Sequence, residues 1–261
     1  MSSQIRVPKS VSEEEAVQFF RSVGLSDVAP TTKARPRDPS DMIHVAPYPP
    51  DVVDLYRIYQ FILLNKRLTA LEFGCGWSTL VIAHALDSNK KRFSQCANHL
   101  RRQNLFEVHS VDNQEQFVKI ARLRLHKRGL DNANFMVSEV EMTLFNGRLS
   151  HQYDSLPQIS PDFIYLDGPG QFDIKGSVRG LTSAHEDFMP MSSDILLIEH
   201  FLLPGTMILV DGRTANARFL RANLQRGWSY TFEKEYDQSL FVLEEEPLGE
   251  INRKQLEFYS S

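Results

Sequence analysis

Leu71-Glu72-Phe73-Gly74-Cys75-Gly76-Trp77-Ser78-Thr79 is the stretch that decides the fold. The apolar run Leu68 to Phe73 reads as a buried parallel strand. It breaks at Gly74 and Gly76, and Leu80, Val81, Ile82, Ala85 and Leu86 follow in a helical pattern. Strand, glycine turn and helix together let a ligand approach bare backbone beside a helix N-terminus.

The residues within the turn narrow the ligand. A dinucleotide fingerprint wants a third glycine at position 79, to pack helix on strand and seat a pyrophosphate. Thr79 stands there instead. Glu72, two residues before the first glycine, places a carboxylate where a cationic, amino-acid-bearing ligand could be held. The pattern fits S-adenosylmethionine better than NAD.

The bulk composition agrees with one large α/β domain carrying appendages. The chain has 261 residues and is 42% hydrophobic, enough for a sizeable core. Its net charge is -4, with no basic excess of the kind a dedicated nucleic-acid binder carries. Cys75 and Cys96 sit in no metal-like spacing, and one lies inside the glycine turn, so no structural disulfide is expected. Met1 to Arg6 lacks the apolar region of a signal peptide, and no apolar run is long enough to span a membrane. A cytoplasmic protein without membrane contact is the expectation.

Residues 1–50 read as an N-terminal appendage and connector. A short helix starts at the N-cap Ser12, with Glu13, Glu14 and Glu15 in its first turn. Thr31 to Pro50 carries five prolines and reads as an extended connector. The main domain is 51–246, followed by a tail over 247–261. Within it the pattern predicts a helix over 51–65, strand 68–73, helix 77–86, strand 105–111, helix 113–128 and strand 134–140. Strands 162–167 and 206–211 and helix 214–226 follow, and an antiparallel pair closes the domain. The succession predicts a doubly wound, mostly parallel sheet with helices on both faces. Residues 87–104 and 141–160 read as insertions, the second with Asn146-Gly147 as a two-residue hairpin turn.

Ligands of such sheets sit beyond the C-terminal strand ends. The residues there are Gly74, Cys75, Gly76 and Ser78 after the first strand, then Asp112 and Asn113 after the second. Ser138 and Glu139 follow the third, Asp167 the fourth and Asp211 the fifth. Asp112 can accept both ribose hydroxyls of an adenosine, or cap the following helix. Glu139 is placed beside the adenine.

On Glu72-Phe73-Gly74-Cys75-Gly76, joined to Asp112 and Asp167, the chain resembles the class I S-adenosylmethionine-dependent methyltransferases over about residues 50–245. The resemblance implies a seven-stranded sheet whose last strand is antiparallel. It also implies that Gly74 and Gly76 pass under the methionine part of the cofactor and that Asp112 binds its ribose. Many members have a further glycine where this chain has Ser78.

For a hydroxyl acceptor, two devices could remove the proton. One is Mg²⁺ held by Asp167 and Asp211, as in catechol-type and macrolide-sugar-type O-methyltransferases, although Gly212 replaces the second acid or Asn usual there. The other is a protein base, His185 or Asp167. Residues 168–193 read as a mobile substrate lid. Arg213 either clamps an anionic substrate group or pairs with Asp211. Lys90, Lys91, Arg92, Arg101 and Arg102 form either an anion-binding patch or a solvated helix face.

The expected activity is O-methylation of a small molecule or saccharide precursor. Neither an Asn/Asp-Pro-Pro-aromatic tetrad nor a Pro-Cys pair is present, which argues against nucleic-acid methylation. An aminopropyltransferase-like enzyme and a non-enzymatic binding protein on the same fold are the alternatives. The N-terminal appendage could pair two copies as a homodimer or cover the site.

Overall fold

The computed structural model describes residues 5–28, 51–101 and 103–261. The proline-rich connector and Arg102 lie outside the described residues. Among the described residues the helices and strands follow the chain as α1 (Glu13–Ser22), α2 (Val52–Leu64), β1 (Thr69–Phe73), α3 (Trp77–Ala97), β2 (Glu107–Asp112), α4 (Glu115–His126), β3 (Ala133–Val137), β4 (Val140–Phe145), β5 (Arg148–Tyr153), β6 (Phe163–Leu166), α5 (Asp194–Ile198), β7 (Met207–Asp211), α6 (Thr214–Asn223), β8 (Trp228–Glu233), β9 (Gln238–Leu243) and α7 (Gly249–Ser260), with β4 and β5 forming a separate hairpin.

The main sheet has seven strands in the order β3-β2-β1-β6-β7-β9-β8. β9 runs antiparallel to both its neighbours, and the remaining pairs among β3, β2, β1, β6 and β7 are parallel. Because side chains alternate across a strand, the sheet feeds two cores. Ala70, Val108, Phe163, Tyr165, Met207 and Leu209 pack beneath the N-terminal helices, α3 and α7. Leu71, Phe73, Val111, Ile164, Leu166, Ile208 and Val210 pack against α5, α6 and the hairpin. This is the doubly wound arrangement.

Local chemistry sets the boundaries. Ser12 caps α1 with a complete capping box: its Oγ accepts from Glu15 N at 3.2 Å, and Ser12 N donates to Glu15 Oε2 at 2.7 Å. Phe20 of α1 is fully buried, and Phe19 meets Tyr56 and Tyr59 edge-on at about 5 Å, so this helix is packed onto α2. Asn146 and Gly147 both have positive φ, the geometry of a type I′ turn, and set the register Phe145↔Arg148.

Two segments depart from expectation. Helix α3 continues through most of the supposed insertion to Ala97. Its inward stripe includes a buried polar residue, Asn89, whose amide donates to the carbonyls of Ile62 and Arg67. The tail carries α7, whose Tyr259 hydroxyl donates to Asp162 at 2.7 Å and so closes the N-terminal edge of the sheet. Among the described residues no helix is long and apolar enough to cross a membrane.

Candidate cofactor and acceptor site

The first crossover reverses at β1 and β6, which lie side by side and lead away in opposite directions, so the ligand crevice opens between their C-terminal ends. Two glycines let the loops meet there. A Cβ on Gly168 would stand 2.5 Å from Gly74 Cα, and one on Gly74 would stand 3.0 Å from Gly168 Cα. Gly74 also has φ +95°, which other residues rarely adopt.

Gly76 differs. Its φ is -162°, ordinary extended backbone, and an added Cβ would have Ser78 Oγ, 3.8 Å away, as its nearest neighbour. Packing within the chain does not require glycine at 76, and its φ lies outside the left-handed region that favours glycine. A bare Cα at the mouth of the turn fits a cofactor that lies directly against it.

Asp112 organises the same turn. Its Oδ2 accepts from Cys75 N at 2.6 Å and its Oδ1 from Gln114 N at 2.7 Å, just ahead of α4. It therefore caps and shapes the loop, while each oxygen retains a second lone pair for a ribose hydroxyl. Burial pushes its carboxyl up to about 6, partly offset by those backbone donors. The Cys75 thiol turns inward, against Val118 and Ala121. Burial also pushes its titration up, so it is not a nucleophile.

Glu72 is not where a ligand ammonium could meet it. The side chain is fully buried; Oε1 accepts from Ser78 Oγ and Oε2 from Ser110 Oγ, both at 2.6 Å. It ties the first turn of α3 to β2. This also accounts for serine at position 78, since Glu72 needs that hydroxyl as a donor. Burial pushes the Glu72 carboxyl up to about 7, against the two serine hydrogen bonds.

At the outer rim, Glu139 pairs with Lys175 on the exposed surface. With Glu141 and Asp154 it forms an exposed acidic group, in which Glu139 already pairs with that lysine's ammonium. Ser138 N donates to Asp112 O at 3.0 Å, which keeps the third strand end beside the turn. Asn113 Nδ2 donates to Asp173 O at 2.9 Å, while its Oδ1 is buried with no hydrogen-bond partner.

Asp167 stands exposed at the end of β6, and Asp211 is buried at the end of β7. Asp211 Oδ2 accepts from the Tyr165 hydroxyl at 2.7 Å, and Gln238 Nε2 lies 3.4 Å from Oδ1. Arg213 Nη2 donates to the Pro169 carbonyl, and Asp167 is the foremost charge acting on the guanidinium. A divalent ion between the two aspartates would replace the Tyr165 donor and sit beside a guanidinium. The expected Mg²⁺ pair therefore fits this donor set poorly.

His185 lies on the exposed surface of the 168–193 segment. Its Nδ1 accepts from Asp187 N at 3.1 Å, its ring packs on Phe188, and 55% of the side chain is exposed. It closes its own loop. The surrounding 168–193 segment is anchored rather than loose: Lys175 N donates to Val140 O, and His151 N to Met191 O, so both ends add strand-like bonds to the hairpin.

The hairpin brings two residues that sequence reasoning missed. His151 is fully buried, with Nδ1 3.4 Å from Ser183 Oγ and Nε2 unpartnered. Tyr153 packs its ring 6.0 Å from that of Phe73, and its buried hydroxyl is also unpartnered. The consecutive inward positions Ser150 and His151 break the alternation of β5, so no simple pattern marked them.

No protein-family profile matches the chain, and no curated protein matches it. Solved structures do. An S-adenosylhomocysteine-bound methyltransferase from Podospora anserina is 12% identical, with TM-score 0.45, over 93% of this chain and 91% of that one. A methyltransferase from Geobacter sulfurreducens is 12% identical, with TM-score 0.44, over 92% and 93%. An rRNA methylase from Streptococcus thermophilus is 12% identical, with TM-score 0.38, over 70% and 92%. The seven-stranded sheet and its antiparallel last strand, taken from this chain's own hydrogen bonds, are what the resemblance to class I S-adenosylmethionine-dependent methyltransferases implies: the chain has that α/β fold.

Proposed function

We propose that the protein is an S-adenosylmethionine-dependent methyltransferase acting on an oxygen of a small-molecule acceptor, a saccharide precursor being the favoured kind. The observation that carries this reading is the turn at Gly76, held open by the Asp112–Cys75 hydrogen bond. The resemblance in sequence and the kinds of protein with similar structures support it.

When bound, the cofactor supplies a sulfonium methyl group for in-line displacement. This chain's residues do the rest. Gly76 and the Cys75 backbone would take the methionine part and Asp112 the ribose, with Asn113 and Glu139 towards the adenine. Asp167 at the open end of β6 would accept the acceptor's proton, next to the Arg213 guanidinium that balances its charge. The Phe73–Tyr153 ring pair would form an apolar wall of the site.

The test is Asp112→Ala. Loss of a charged hydrogen-bond acceptor to the ribose should weaken S-adenosylhomocysteine binding by about 1.5–3 kcal/mol. Unchanged affinity in the folded variant would remove Asp112 from the cofactor site. Turnover with a hydroxyl-bearing acceptor separates the enzyme from a binding protein on the same fold.

A further inference from the structure

Unpaired polar atoms inside a protein cost free energy, and a cluster of them at a crevice points to a missing partner. Arg213 Nη1, the Tyr153 hydroxyl and His151 Nε2 are all buried and have no hydrogen-bond partner. His151 and Tyr153 are alternate residues of β5 and share one face; Tyr153 packs on Phe73 and Arg213 Nη2 donates to the Pro169 carbonyl, so the two flank the Gly74–Gly168 contact. His151 is fully buried and Tyr153 is 5% exposed, so their polar atoms face protein or a ligand and not bulk solvent. Arg213 as a residue is half-buried, but its Nη1 is shielded from solvent like the other two atoms.

The three groups share one electrostatic environment. Arg213 acts on the titration of both His151 and Tyr153, and Tyr153 acts on that of Arg213. All three can be donors. The guanidinium is always a donor, and the buried phenol keeps its proton. If His151 Nδ1 accepts from Ser183 Oγ, its Nε2 carries the remaining hydrogen. Three donors, one of them cationic, ask for an anionic oxygen group. Phe73, on which Tyr153 packs, is the last residue of β1 before the glycine turn, which sets this cluster beside that turn.

We infer that Arg213, Tyr153 and His151 form an anion subsite that receives a carboxylate or phosphate of the acceptor. The acceptor class is then an anionic hydroxyl compound, of the uronate or sugar-phosphate kind. The assignment of the anion to an acceptor rests on the methyltransferase reading; the anion subsite does not.

The experiment titrates the full chain, with and without S-adenosylhomocysteine, with inorganic phosphate and separately with acetate at constant ionic strength. The readouts are the unfolding temperature and the arginine side-chain ¹⁵N resonances. Saturable binding of at least one anion is expected, weakened at least tenfold in Arg213→Met and severalfold in Tyr153→Phe. S-adenosylhomocysteine affinity should stay within about threefold of the parent. If Arg213→Met does not fold, Arg213→Lys and Tyr153→Phe carry the comparison, both with weaker anion binding. Phosphate alone binding would assign a phosphate-bearing acceptor, and acetate alone a carboxylate. A response that never saturates, or that is the same in every folded variant, overturns the subsite. Equal loss of S-adenosylhomocysteine binding in Arg213→Met also overturns it, because the guanidinium would then hold the cofactor's carboxylate. Arg213-dependent anion binding in a chain that does not bind S-adenosylhomocysteine upholds the subsite and removes the methyltransferase reading.

Discussion

Gly74 and Gly168 touch through their backbones: a Cβ on Gly168 would lie 2.5 Å from Gly74 Cα and 2.6 Å from Gly74 N. This contact brings the loops after β1 and β6 together at the point where the sheet's winding reverses. It separates glycines required by the protein from the glycine required by a ligand. Gly168→Ala must push backbone against backbone, and should cost about 1–3 kcal/mol of stability, the range for overpacked sites. Chemical denaturation checks this; a loss below about 0.5 kcal/mol, the scale of an innocuous surface change, would contradict the tight contact.

Glu72 makes stability depend on pH. Its carboxyl titrates at about 7 in the folded protein, raised by burial from 4.5. The folded state therefore holds a proton that the unfolded chain has released. Its contribution is fully present below about pH 4.5 and is lost as pH rises through 7. Asp112 and Asp194, raised to about 6, act in the same direction, while His151, lowered to about 3, acts in the opposite one. The comparison that isolates Glu72 is Glu72→Gln against the parent. Relative to the parent, the variant should gain stability steadily between pH 4.5 and pH 7. A difference independent of pH would show that Glu72 titrates normally.

Tyr153→Phe should separate folding from function. The hydroxyl is buried without a partner, so removing it should leave the ligand-free protein within about 0.5 kcal/mol of the parent or stabilise it. Activity towards an anionic acceptor should fall. A clear loss of stability would mean that the hydroxyl has a structural partner.

Chelation tests the aspartates. Tyr165 donates to Asp211, and Arg213 stands by Asp167. Methyl transfer should therefore survive EDTA, and Asp167→Asn should lower kcat with little change in cofactor affinity. Activity that vanishes in EDTA and returns with Mg²⁺ would restore the paired aspartates as a metal site.

The strand ends were legible because parallel strands are short apolar runs stopped by glycine or acid. Thus Gly74, Asp112, Asp167 and Asp211 were placed correctly in the topology, and Asn146-Gly147 marked its hairpin. The C-terminal half of α3 was hidden because its inward stripe uses Asn89, a polar residue paired with backbone carbonyls. Depth was not legible either. The motif placed Glu72 at the turn, but whether it faced a ligand or the core depended on Ser110, 38 residues away. His151 and Tyr153 reach the crevice only through the folding of the hairpin over the sheet, a long-range contact that local periodicity does not encode.

Calorimetric titration with S-adenosylhomocysteine of the parent and of Gly76→Ala is the most direct test of the central claim. The account expects micromolar binding by the parent. It expects at least tenfold weaker binding by a variant whose stability is unchanged, since the added Cβ meets nothing of the protein closer than 3.8 Å. Absence of binding by the parent, or equal affinity in the two proteins, would contradict a cofactor lying against this turn.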